Sequence, residues 1–392
     1  MKPADPPGHS GSRSGKTLAD LDTPCLVLDP RRMQANVSHL KARLQSLGVP
    51  LRPHLKTVKS VDIARRVLSG PTGPAAVSTL REAEVFLDAG ITDILYAVGI
   101  APQKLDRVTA LRRRGADLCV ILDSAEQARA VTEASCRSRD PIAALIEIDC
   151  DGHRAGVRVE DPLLLEIGRT LHEGGAELRG VMTHAGESYA CRSVEALEQA
   201  AENERAAAVR GAERLREAGL PCAVVSVGST PTAHFARSLH GVTEVRAGAF
   251  VLFDLVMAGI GVCPVENIAL SVLTTVIGGR ADRGWIFVDA GWMALSRDRG
   301  TAKQVLDQGY GLVCDLDGRP YPDLIVVEAN QEHGIIAVRP GAAAIPPELA
   351  IGARLRILPN HACATGAQHD RYHVLSETAR HVETEWERFR GW

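Results

Sequence analysis

LRPHLKTVKSVDIARRVLSGPTGPAAVSTLREAEVFLDAGITDILYAVG, residues 51–99, sets the rhythm of the chain. It holds three short strand-like cores, LRPHL (51–55), AAVS (75–78) and DILYA (93–97). Between the second and third, LREAEVFLDAG (80–90) spaces its apolar residues at the helical period and closes on a glycine. The alternation then continues. LCVIL (118–122), AALIEID (143–149), RGVMTH (179–184), CAVVSVG (222–228) and TEVRAG (243–248) read as strands. SAEQARAVTEA (124–134), with Ser124 as its N-cap, and the Glu/Arg/Ala-rich stretch 193–219 read as helices. Strands alternating with helices imply right-handed βαβ units and a parallel sheet. Eight strand candidates between 51 and 248 predict a closed (β/α)₈ barrel of the TIM type. An open doubly wound sheet is the alternative, weakened because no G-x-G-x-x-G follows any of the strands.

Outside the barrel the texture differs. Residues 1–16 are rich in Pro, Gly and Ser and read as a flexible tail. CLVLD (25–29) is a ninth strand, left over from the barrel, and Pro30 opens a helical pattern that ends near Gly48. After Gly261 come ALSVLTTVIGG (269–279), GWIFVDAG (284–291), IVVEANQEHGIIAV (325–338) and ARLRILPNHAC (353–363), divided by Gly, Pro and Asp turns and lacking long helices. They predict a mostly antiparallel β domain. The expected division is a tail over 1–16, a strand segment over 17–29 joining the β domain, a barrel over 30–261 and the β domain over 262–392.

The 392 residues, 45% hydrophobic and 24% charged, suit two globular domains and exclude a mostly disordered chain. Lys plus Arg number 45 against 48 for Asp plus Glu, a net charge of −3, which gives no footprint for nucleic acid or an anionic membrane. No apolar run approaches the roughly 18 residues of a membrane span. The first 16 residues lack an apolar signal core, so a cytoplasmic location is expected. The nine cysteines are odd in number, form no C-x-x-C pair and read as reduced thiols, most of them small core residues.

A parallel barrel carries its active site at the C-terminal ends of its strands. The first strand delivers His54 and Lys56, and a desolvated lysine there can form a Schiff base, whereas a solvated loop lysine is the plain alternative. The fifth runs into DCDGHRAGV with His153 and Arg154, and the sixth ends in THAGESY with His184 and Tyr189. The seventh ends in a Gly228-Ser229-Thr230 turn before a helical pattern, which suits a phosphate. The eighth ends in EVRAGAF, with Arg246, Gly248 and Ala249. Together these suit a phosphorylated aromatic cofactor held covalently by the lysine. In the β domain, PNHACAT sets His361 and Cys363 two apart, on one face if the segment is a strand, as an incomplete Zn²⁺-type ligand pair or as two unrelated residues. NQEHG adds Glu332 and His333 as partners of that pair or as an acid/base.

The run of motifs LDTPCLVLD, RPHLKT, VSTLREAE, DGHRAGV, THAGESY, VGSTPT, EVRAGAF and PNHACAT, in this order from about residue 18 onward, resembles the D-threonine aldolase and D-serine dehydratase family. These are alanine racemase-like, fold type III enzymes that use pyridoxal 5′-phosphate. The resemblance implies that Lys56 is the Schiff-base lysine and that Arg154 meets the cofactor's phenolic oxygen. His184 and Tyr189 would lie at the cofactor, with Arg246 near the pyridine nitrogen. Gly228, Ser229, Thr230, Gly248 and Ala249 would hold the phosphate. His361 and Cys363 would bind a divalent metal, Zn²⁺ ahead of Mn²⁺, Co²⁺ or Mg²⁺. Aldolases of the family tend to have Asp in place of Cys363.

The implied activity is therefore a dehydratase acting on a β-hydroxy D-amino acid such as D-threo-3-hydroxyaspartate or D-serine, with His333 as a further catalytic residue. A second carboxylate on the substrate would meet Arg297, Arg299 or Lys303 unless these belong to a solvated loop. A homodimer is implied, with no nucleic-acid or membrane partner. The competing readings are a D-threonine aldolase, a racemase, which needs a second base that the sequence does not reveal, and a non-enzymatic pyridoxal phosphate homeostasis protein, which would resemble the barrel alone.

Overall fold

The computed structural model describes residues 15–152, 154–376 and 380–392. The tail expected over 1–16, apart from its last two residues, and His153 lie outside the described residues.

Eight parallel strands form the ring of the first sheet: Leu51–Pro53, Ala75–Val77, Asp93–Gly99, Asp117–Leu122, Ala143–Asp149, Glu177–Thr183, Val224–Val227 and Glu244–Ala247, with the two-residue strand Val157–Arg158 paired to the fifth from outside the ring. The last pairs with the first, Val245 against Leu51. The ring closes between the first and second, where Leu55 N–H donates to the Ala76 carbonyl at 2.8 Å. The predicted barrel is therefore what forms, and the open-sheet alternative is excluded. Strand residues alternate between two environments, as a pleated strand requires. Ile94, Tyr96, Leu118 and Val120 join the main apolar core, while Leu95, Cys119, Ile121 and Leu145 make a separate cluster.

Several helices start where the sequence supplies a capping side chain. Asp29 Oδ1 accepts from Arg31 N–H at 3.0 Å to open the helix Pro30–Ser46. Ser124 opens Ala125–Ser138, and Ser193 opens the 24-residue helix Val194–Glu217.

In the second sheet six strands close on themselves in the order Leu270–Arg280, Trp285–Val288, Gly334–Val338, Pro320–Ala329, Leu312–Cys314 and Arg354–Leu358. Cys25–Leu28 pairs antiparallel with Leu270–Arg280 on one side and parallel with Arg371–Leu375 on the other. Val382–Glu387 forms the edge. Three of these strands, Leu312–Cys314, Arg371–Leu375 and Val382–Glu387, lie outside the runs singled out in the sequence. They are short, or mix charged side chains into RYHVL and VETEWE, so no apolar run marks them.

Two expectations need correction. The run ARLRILPNHAC is not one strand. Its strand ends at Leu358, and Pro359 has no N–H with which to extend a ladder. Val256 N–H donates to the Asn360 carbonyl at 3.1 Å, and His361 becomes the N-cap of a short helix, Ala362–Gly366. NQEHG is likewise a hairpin turn between Pro320–Ala329 and Gly334–Val338 rather than strand. All nine cysteines are free, but Cys136 is exposed and Cys150 and Cys191 are half-buried, so packing does not account for every one. Among the described residues, no helix is long and apolar enough to cross a membrane.

Candidate active site

The C-terminal ends of the barrel strands and the segment after Leu358 enclose a cavity of about 460 Å³. Lys56, Arg154, His184, Tyr189, Gly228, Ser229, Thr230, Arg246, Gly248, Ala249, His361 and Cys363 all line it. Lys56 follows the first strand.

The floor is polar and held from below. Arg246 is 3% exposed and donates to Ser226 Oγ at 2.6 Å and to the Thr183 carbonyl at 2.5 Å. Ser226 Oγ in turn donates to Glu244 Oε1 at 2.6 Å. Glu244 accepts from Arg52 Nε at 2.8 Å, and Arg52 reaches Asp93 at 2.6 Å. Opposite charges therefore alternate through the barrel interior, which is how buried ions are kept charged. Desolvation lowers the pKa of the Arg246 guanidinium, while Glu244, Glu204 and Glu147 oppose it.

Two imidazoles face the cavity in neutral form. Burial lowers the His184 pKa to about 3, helped by Arg154, Lys56 and Arg246, although its Nδ1 lies 2.9 Å from the Gly228 carbonyl. Burial also takes His54 well below the usual histidine value, with Lys56, Arg246 and His184 adding repulsion. Burial pushes the Tyr189 phenol up, further raised by Cys363 and Asp254.

The turn after the seventh strand is built for close approach. Gly228 has φ +150°, and a Cβ there would fall 1.9 Å from the Arg246 carbonyl oxygen. Ser229 caps the following short helix by accepting from Thr232 N–H at 3.2 Å. Thr230 Oγ1 is buried and has no partner among the described residues, although it lines the cavity. A buried hydroxyl without a partner costs free energy unless a ligand supplies one.

On the facing wall, His361 and Cys363 meet although they are not on a strand. His361 Nδ1 lies 2.7 Å from Asp298 Oδ2. Burial alone would lower the His361 pKa, but hydrogen bonds to Asp298 and Cys363 outweigh it and hold it up to about 11. Burial raises the Cys363 thiol, yet the histidine, Lys56 and Thr57 bring it below the ordinary value. A proton shared by thiolate, imidazole and carboxylate sits where a cation of higher charge fits. Cys363 Sγ is 3.2 Å from Thr57 Oγ1, and Thr57 adjoins Lys56.

Other sequence candidates fall elsewhere. His333 is exposed in the hairpin turn and does not line the cavity. Arg297 stacks on Trp292 at 4.2 Å, Arg299 pairs with Asp307 at 2.6 Å, and Lys303 is exposed; none of the three lines the cavity. The cavity also gathers Thr57, Ser78, Asp254 and Asp298, which the sequence reading left aside. Asp298 stood between the two arginines of SRDRG, and only its contact with His361 distinguishes it.

A parallel barrel with a lysine after its first strand and a Gly-Ser-Thr turn after its seventh, joined to a β domain, is the architecture of the alanine racemase-like, fold type III pyridoxal phosphate enzymes. The chain belongs to this family: the model described as "Alanine racemase, N-terminal domain" matches residues 28–255, and the one described as "Putative serine dehydratase domain" matches residues 269–375. The chain is 56% identical to a D-threo-3-hydroxyaspartate dehydratase of Delftia sp. (strain HT23), over 96% of this chain and 99% of that one. It resembles a solved cysteine-to-alanine mutant of D-threo-3-hydroxyaspartate dehydratase in the metal-free form, with a TM-score of 0.93 and 55% identity, covering 96% and 100% of the two chains. A D-threonine aldolase from Filomicrobium marinum has a TM-score of 0.82 at 26% identity, covering 96% and 98%.

Proposed function

We propose that this protein is a pyridoxal phosphate- and divalent metal-dependent dehydratase of β-hydroxy D-amino acids. Its substrate would be D-threo-3-hydroxyaspartate, converted to oxaloacetate and ammonia, or D-serine. The observation that carries this reading is the 3.2 Å approach of Cys363 Sγ to Thr57 Oγ1, which sets the His/Cys pair against the lysine loop within one cavity. An amine that can serve Cα and a pair that can serve the β-oxygen then face the same small molecule. The names of the similar dehydratase and of its metal-free mutant support both the substrate and the metal.

Lys56 Nζ would hold the cofactor and act as base for the Cα proton. Gly228, Ser229, Thr230, Gly248 and Ala249 would hold the phosphate, where the unpartnered Thr230 hydroxyl fits an anionic oxygen. Arg154 would meet the phenolic oxygen, Arg246 the ring nitrogen, and the neutral His184 and Tyr189 the ring. Bound pyridoxal phosphate supplies an electron sink for the Cα carbanion.

His361 and Cys363 would hold the metal, and imidazole with thiolate favours Zn²⁺ over Mn²⁺, Co²⁺ or Mg²⁺. The metal supplies Lewis acidity toward the β-hydroxyl. Among the described residues, no group of three His, Cys, Asp or Glu side chains could hold a metal ion, so the remaining positions would stay open to substrate. The assembly would be a homodimer. The nine free thiols suit a reducing cytoplasm.

The test is a substrate panel of D-threo-3-hydroxyaspartate, D-serine and D-threonine with products identified. Ammonia and an oxo acid are expected. Glycine and an aldehyde would replace the dehydratase with an aldolase, and no turnover at all would leave a cofactor-carrying protein.

A further inference from the structure

We propose that Asp298 is a positioning residue for the metal pair, fixing the tautomer and tilt of His361 so that Nε2 is presented beside Cys363. This rests on the reading above that His361 and Cys363 hold a divalent metal. Asp298 Oδ2 lies 2.7 Å from His361 Nδ1, so Nδ1–H donates to the carboxylate and Nε2 is the nitrogen whose proton a bound cation would displace. Its own place does not depend on the histidine. Asp298 Oδ1 accepts from Gly300 N–H at 2.8 Å, and Asp298 N–H donates to Ser296 Oγ at 3.2 Å.

The backbone around Asp298 is over-determined. Ser296 holds φ +73°, a conformation that a side-chain-bearing residue keeps only where the surroundings enforce it. Gly300 presses on the barrel side: a Cβ there would come 2.6 Å from Val256 Cγ2 and 3.1 Å from Asp298 Oδ1. The segment that Gly300 touches also anchors the short helix of the metal pair, since Asp254 Oδ2 accepts Ala362 N–H at 2.9 Å. The loop and the metal pair are thus registered against one stretch of backbone, residues 254–256. Asp298 bonds the far nitrogen of the ring and is not itself a ligand. A carboxylate so placed orients the ring and raises its basicity toward the metal.

The experiment measures the Zn²⁺ dissociation constant of the cofactor-loaded enzyme by chelator competition. Asp298→Asn should weaken binding by about 10–100-fold, with the visible cofactor absorbance unchanged. Asp298→Ala should weaken it similarly and recover affinity when formate is added, which also decides the matter if Asp298→Asn does not fold. An unchanged dissociation constant in Asp298→Asn, with or without a fall in melting temperature, would show a packing role and overturn the proposal. Failure of the wild-type enzyme to bind Zn²⁺ stoichiometrically would instead remove the metal reading, and this inference with it.

Discussion

Removing one hydroxyl from the barrel interior should disturb both stability and the cofactor floor. Ser226 is fully buried, accepts from the Arg246 guanidinium at 2.6 Å and donates to the Glu244 carboxylate at 2.6 Å. Ser226→Ala deletes both bonds and leaves a buried cation and a buried anion each short of a partner. Hydrogen bonds to charged groups contribute roughly 1.5–3 kcal/mol each, so the two together come to about 3–6 kcal/mol. Water entering the gap would return part of this, and the lower end, ~3 kcal/mol, is the expected loss. In thermal unfolding of a chain this long that is a fall of about 4 °C. Arg246, released on one side, should also shift the absorbance maximum of the bound cofactor. A double-mutant cycle with Glu244→Gln should show coupling above about 0.5 kcal/mol, since the two residues share one bond. A loss below ~1 kcal/mol, or a cycle without coupling, would refute the idea that Ser226 bridges the charges.

Other outcomes follow from the same geometry. Lys56→Ala should abolish the visible absorbance of the cofactor-loaded protein; its persistence would remove Lys56 from its covalent role. Chelation, or Cys363→Ala, should end turnover while leaving that absorbance, and full activity in verified metal-free enzyme would exclude the metal. Gly228→Ala would place a methyl 1.9 Å from the Arg246 carbonyl at φ +150°, so soluble protein and phosphate-dependent cofactor binding should both collapse. Wild-type cofactor affinity in that variant would disprove the close approach. With His184 lowered to about 3 by burial, the unfolded chain binds the extra proton between about pH 3 and 6.5, so stability falls as pH drops through that window. One such group changes stability by at most ~1.4 kcal/mol per pH unit. His184→Gln should flatten this acid limb in urea titrations at pH 5 and 7.5, and an unaltered slope would count against a neutral His184.

Much of this was legible in the chain. Most of the barrel strands carry an apolar run, because a strand covered on both faces is largely apolar along its length, while the first and last bring Arg52 and Arg246 into the interior. The residues at the strand ends then fall at the barrel mouth by topology alone, which is why Lys56, His184, Thr230 and Arg246 are legible in the sequence. The β domain was harder. RYHVL and VETEWE form strands by pairing with neighbours, and their own periodicity is masked by charge.

The sequence by itself determined the barrel and the set of residues at its mouth, because burial patterns and strand order are local or nearly local properties. Only the tertiary structure decided which polar residues meet. His361 and Cys363 come together through a turn and a helical N-cap, since Pro359 ends the strand and Asp254, more than a hundred positions away, takes the Ala362 amide. Asp298 rather than its arginine neighbours reaches the site, since Arg297 and Arg299 are engaged by Trp292 and by Asp307. Such pairings depend on distances across domains, and spacing along the chain carries no information about them.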